Sequence, residues 1–106
     1  MIKNVWVVNK KEYDLTKAEE FGRIKLLTEG TVSPFDLNRY TQWFRESMKE
    51  SKAHDYILPC GSTPLNMVAA ALMMFKHSKV NILVFNPKTQ AYTERGFTEQ
   101  ELAGIA

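Results

Sequence analysis

The sequence predicts an α/β chain folded as a three-layer sandwich, with a mostly parallel sheet and an antiparallel edge strand. Three observations carry this. Short β-branched and apolar runs alternate with helical patterns in the order β-α-β-α-β-α-β-β-α, and such alternation implies parallel strands with helices on both faces. Most helical patterns open on a capping or proline signal. The last two strand patterns are separated by the turn sequence Asn86-Pro87-Lys88-Thr89, so that pair should be antiparallel. A chain of 106 residues, 44% hydrophobic and 25% charged, suffices for one α/β domain over residues 1–106 and is too short for two.

Each element has its own signal. Val5 to Val8 is a short β-branched and aromatic run that reads as a buried strand, ended by Asn9-Lys10-Lys11. Thr16 and Glu19 have capping-box spacing and Gly22 stands where a helix would stop, so a short helix over 16–21 is expected. Arg23 to Thr28 reads as a second strand, closed by Glu29-Gly30. Ser33-Pro34 then predicts the start of a long helix, with serine as N-cap and proline in the first turn. Leu37, Tyr40, Phe44 and Met48 form its apolar stripe, with Trp43 beside them and Arg39, Gln42, Arg45, Glu46 and Lys49 opposite. It should end near Ser51.

Tyr56 to Cys60 is the third strand, with Pro59 at a bulge or strand end because proline cannot donate to the ladder. Ser62 or Thr63 caps the next helix, Pro64 is its first residue, and it runs to about His77. Val80 to Phe85 is the fourth and most apolar strand. Residues 90–95 form the edge strand. Thr98 and Glu101 repeat the capping-box spacing and begin a short last helix.

Composition excludes several functions. Fourteen Lys and Arg stand against twelve Asp and Glu, with no basic block, and a duplex-binding protein normally carries a clustered basic footprint. General DNA or RNA binding is therefore not expected. The longest apolar run, Met67 to Phe75, is nine residues, whereas a membrane span needs roughly 20. The amino end lacks the longer apolar region of a signal peptide, and one cysteine, Cys60, cannot make an internal disulfide. A cytoplasmic protein is expected, without membrane contact.

Chemistry is placed by topology. In open α/β sheets ligands bind beyond the carboxyl ends of the strands, where strand order reverses. With the first four strands in the order 2-1-3-4, Asn9, Lys10 and Lys11 would face Gly61, Ser62 and Thr63, with Asn86 following the fourth strand. A helix N-terminus offers free N–H groups and partial positive charge, glycine permits close approach, and hydroxyls and lysine add donors. The residues fit a phosphate or similar anion; they also fit a capped turn that binds nothing, since neither the dinucleotide fingerprint nor the P-loop pattern is present. Of the nearby carboxylates Glu12, Asp14 and Glu29, Asp14 suits a turn or cap. Cys60 lacks the following arginine of a thiolate phosphatase loop and is expected to be structural. His54 and His77 belong at the opposite, amino-terminal edge of the sheet. No cofactor and no metal site are expected, and the catalytic residues, if any, are not identified.

The third helix is apolar around its circumference, with Asn66 its only strongly polar residue between Pro64 and Phe75. Such a helix must be buried on all sides, and one sheet covers only one side. A homodimer through Met67, Ala70, Met73 and Met74 is therefore expected.

The layout resembles a minimal Rossmann-like domain. More narrowly it resembles the small dimeric CARF-type domains that sense cyclic oligonucleotides, with Asn9, Lys10, Gly61, Ser62 and Thr63 at the matching positions over residues 1–86. The compact format also resembles small phage or prophage accessory proteins, which would act in the host cytoplasm. The resemblance implies a homodimeric binder of a nucleotide or cyclic oligonucleotide, acting as sensor, sponge or slow metal-free phosphodiesterase. The alternative is a non-enzymatic phage protein that binds a host protein.

Overall fold

Burial on both faces explains why the first strand reads as an unbroken apolar run. Val5, Trp6, Val7 and Val8 are all buried in β1 (Asn4–Asn9). In the computed structural model, which describes residues 2–10 and 13–104, β1 is flanked by β2 (Arg23–Thr28) and β3 (Tyr56–Leu58). β4 (Lys79–Asn86) and β5 (Ala91–Thr98) complete a five-stranded sheet of order β2-β1-β3-β4-β5. The first four strands are parallel. β5 returns antiparallel along β4, from Lys79 opposite Thr98 to Asn86 opposite Ala91.

One face carries the larger core. Trp6, Val8, Ile57 and Val80 pack there against Tyr40 and Phe44 of α1 (Leu37–Ser47), Met48 just beyond it, and Leu65, Ala69 and Met73 of α2 (Thr63–His77). On the other face Val5, Val7, Leu58 and Leu83 meet Leu15 and Ala18. The cover on that side is a 3₁₀ turn, Thr16–Glu20, followed directly by Gly22 and β2. The expected second helical layer is thus reduced to this one turn. α3 (Glu99–Leu102) closes the chain with the predicted capping box of Thr98 and Glu101.

Several local expectations are corrected. Thr16 and Glu19 make no capping box; Asp14 Oδ1 instead accepts from Thr16 N at 3.0 Å and Thr16 Oγ1 at 2.6 Å. Gly22 is required by close approach, since a Cβ there would lie 2.3 Å from Lys3 O. Ser33-Pro34 does not open α1. Asp36 N donates to Ser33 O at 3.2 Å, closing a turn that sets Val32 against the core, and the helix begins at Leu37. β3 stops before Pro59, as a residue without an N–H requires.

The dimer expectation also meets a correction. Met73 is fully buried in the chain's own core, because α2 turns it toward the sheet together with Leu65 and Ala69. It is not available to a partner. Ala70 and Met74 are half-buried, and Met67 is exposed.

Candidate functional site

The turn between β3 and α2 is built by Asn66. Its Oδ1 accepts from Cys60 N at 3.3 Å, and its Nδ2 donates to Cys60 O at 3.1 Å and Ser62 O at 2.8 Å. This accounts for the one strongly polar residue in an apolar helix. Ser62 is the N-cap, with its Oγ accepting from Leu65 N at 3.5 Å. Gly61 has φ +87, and a Cβ there would meet Asn9 Cβ at 2.9 Å. The buried Cys60 thiol donates to Asn9 O at 3.0 Å. Cys60 and Gly61 therefore close the space between the carboxyl ends of β1 and β3, where the strand order placed the crevice.

The crevice opens instead on the β2 side of β1. It has a volume of about 1180 Å³, with Asn9 and Lys10 beneath, Glu29 and Gly30 on one wall, and Ser62 and Thr63 on the other. Its loop wall is pinned to β1 by two bonds. Thr28 Oγ1 donates to Val8 O at 2.6 Å, and Asn9 Nδ2 donates to Gly30 O at 2.8 Å. Asn9 is buried, so it braces this wall. Lys10 and Thr63 are exposed, and Ser62 is half-buried. The arrangement offers one ammonium, two hydroxyls and the amino end of a fifteen-residue helix, facing one carboxylate.

Of the other predicted ligand residues, Gly61 packs behind the crevice. Asn86 lies at the β4–β5 turn, where its Oδ1 accepts from Lys88 N at 2.9 Å, away from the crevice lining. Lys11 and Glu12 lie outside the described residues. Asp14 acts as a turn residue, and its hydrogen bonds from Thr16 hold its carboxyl below the usual range.

At the opposite edge Asp55, which the sequence reading did not single out, is fully buried. It accepts from Asn4 N at 2.9 Å, Trp6 Nε1 at 3.1 Å and Lys52 N at 2.9 Å. An acidic residue just before an apolar strand was the available signal. His77 Nε2 lies 3.0 Å from Ser51 Oγ, and His54 Nε2 lies 3.8 Å from Asp55 Oδ1. Both histidines thus stand at the amino-terminal edge. Among the described residues, no group of three His, Cys, Asp or Glu could hold a metal ion, and no helix is long and apolar enough to cross a membrane.

No curated protein and no solved structure matches the chain, and nothing found supports the CARF-type or Rossmann-like resemblance. The resemblance to phage proteins is supported: the model of the family described as phage Pam3 gp32-like protein matches residues 3–98, and the chain belongs to that family.

Proposed function

We propose that this phage protein works by binding a phosphorylated small molecule, of the nucleotide or cyclic oligonucleotide class, in the crevice beyond β1. One observation carries the reading: Lys10, Ser62, Thr63 and the amino end of α2 line the same open cavity. Helix N-termini and lysine both favour anions, and a cavity of about 1180 Å³ has the volume for a ligand with more than one phosphate. Binding as a sensor or sponge suits the residues better than turnover, because among the described lining residues Glu29 is the one carboxylate and no histidine stands with it. Calorimetric titration with mono-, di- and cyclic nucleotides tests this. Micromolar binding of at least one is expected, and no binding below millimolar concentration would leave the crevice a capped turn.

A second reading rests on α2. Met67 is 67% exposed and Phe75 is 89% exposed, with the exposed Ala71 between them at i, i+4 and i+8 spacing. A large aromatic on a bare helix face suits a second copy of the chain or a host protein better than water. On this reading a homodimer would form through Met67, Ala71 and Phe75, flanked by Ala70 and Met74. Light scattering should give twice the 12.2 kDa chain mass, and Phe75→Glu should return it to one. A wild-type monomer at 100 micromolar, on the order of a weak dimer's dissociation constant, would favour the host-protein partner.

A further inference from the structure

We propose that the cavity between the 3₁₀ turn and the β4–β5 hairpin is a slot for a nucleobase, extending the anion crevice into a nucleotide site. The phosphate half rests on the reading above; the ring half rests on different side chains.

The slot exists because the strands differ in length. β3 ends at Leu58 while β4 runs on to Asn86, so the hairpin projects past its neighbour on the thinly covered face of the sheet. Phe85 and Tyr92 pair across the hairpin, with ring centroids 5.3 Å apart and planes at 61°. A cavity of about 320 Å³ lies between them and Tyr13, Asp14, Lys17 and Gln90, at the low end of the roughly 300–1000 Å³ range of small-molecule sites. Lys17 Nζ donates to Gln90 O at 2.7 Å, tying the two walls together and setting the width.

The lining specifies the occupant. Tyr13 and Phe85 are 56% and 46% exposed, so aromatic surface stands bare beside the cavity. A planar ring covers such surface by stacking, the usual way proteins hold bases. The polar groups supply an edge. Both Thr16 bonds fall on Asp14 Oδ1, so Oδ2 has no hydrogen-bond partner among the described residues. The Tyr92 hydroxyl has none among them either. Burial, with the nearby Cys60 and Asp14, raises the Tyr92 phenol above its usual value, so it stays protonated and can donate. One ionised acceptor and one donor suit a heterocycle edge that carries an N–H or amino group beside a ring nitrogen or carbonyl. Within the slot the Asp14 carboxylate and the Lys17 ammonium offset each other, and Lys17 is held by Gln90 O, whereas Lys10 and the amino end of α2 both favour phosphate in the crevice. Tyr13 lines both cavities, so ring and phosphate can belong to one molecule.

The experiment compares adenosine, guanosine, ribose 5-phosphate and the two nucleoside 5′-monophosphates by calorimetry and tyrosine fluorescence. The better nucleotide should bind at least tenfold more tightly than ribose 5-phosphate, and its nucleoside alone should quench tyrosine emission. Tyr92→Phe and Asp14→Asn keep ring and turn in place; each should weaken the nucleotide three- to tenfold and leave ribose 5-phosphate unchanged. Nucleotides no tighter than ribose 5-phosphate would overturn the slot while leaving the anion crevice standing. Nucleoside binding without ribose 5-phosphate binding would do the reverse. Binding of none of these compounds overturns the slot, and the crevice reading falls with it when di- and cyclic nucleotides also fail to bind.

Discussion

At the residue scale, opposite charges on the crevice walls give opposite expectations. Lys10 is exposed, so Lys10→Ala should leave stability unchanged. A charge-assisted bond is worth roughly 1.5–3 kcal/mol, and its loss should weaken phosphate ligands by one to two orders of magnitude. Glu29 lines the same cavity, and Glu29→Gln should tighten the same ligands severalfold in the same titration. Both variants failing to move affinity would place the ligand elsewhere. Asp55 is the contrasting case, far from the crevice and fully buried. Its oxygens satisfy two backbone N–H groups and the Trp6 indole, so Asp55→Ala orphans three donors, two on β1 and one on the loop before β3, the Trp6 indole N–H among them buried. A loss of about 3 kcal/mol is expected, read as a lower urea midpoint. His77 gives the pH dependence. Burial, then the Lys76 charge, lowers its pKa from 6.5. The unfolded chain therefore takes up a proton first as pH falls. Stability should be level above pH 7, decline as pH drops through 6.5, and flatten once the folded histidine also titrates. Urea midpoints across that range check this, and His77→Gln should remove part of the decline.

At the element scale, α2 separates two substitutions that the sequence alone treats alike. Met73→Glu buries an unpaired charge in the core and should unfold the chain, at about 3–5 kcal/mol. Phe75→Glu lies on the bare face and should leave the urea midpoint within about 0.5 kcal/mol of wild type while abolishing self-association. The same helix shows what the sequence can and cannot disclose. Its Ser62-Thr63-Pro64 start and its end at His77 are local signals and were legible. Which of its apolar residues face the sheet was not, because a helix apolar all round has no phase to read. The strand positions were legible from short apolar runs, and the parallel order from their alternation with helices. Thr16/Glu19 and Ser33-Pro34 misled for one reason. Both are cap signals pre-empted by a tight turn: Asp14 takes the Thr16 hydroxyl and N–H, and the bond from Asp36 N to Ser33 O closes a four-residue turn ahead of the helix. The crevice residues Asn9, Lys10, Ser62 and Thr63 were legible as residues following strands. Its position was not, since the contact of Gly61 and Cys60 with Asn9 depends on interstrand packing that no local pattern records.

At the scale of the whole molecule, the two faces of the sheet are unequally defended, and this should be visible in hydrogen exchange. Two α-helices and eleven buried side chains seal one face. The other has eight buried residues under a 3₁₀ turn. Local opening follows apolar coverage, so amides of β1 and α2 should exchange near the rate of global unfolding. Amides of the 3₁₀ turn and of the projecting end of the hairpin, residues 84–92, should exchange orders of magnitude faster. The thin face is also the one that carries the base slot, which ties stability to function. A nucleotide bridging Tyr13, Asp14 and Tyr92 would join the two least protected segments, and binding stabilises only the states that bind. At about 100 times its dissociation constant, it should slow exchange in residues 13–20 and 84–92 by close to 100-fold, the factor that concentration ratio sets, and slow by the same factor the β1 and α2 amides that exchange only through global unfolding, which also releases the ligand. Ribose 5-phosphate, which reaches only the crevice, should slow residues 28–31 and 62–66 and leave the hairpin as it was. Uniform slowing by both compounds would mean that the sheet responds as one body and that the thin face is not a separate opening unit.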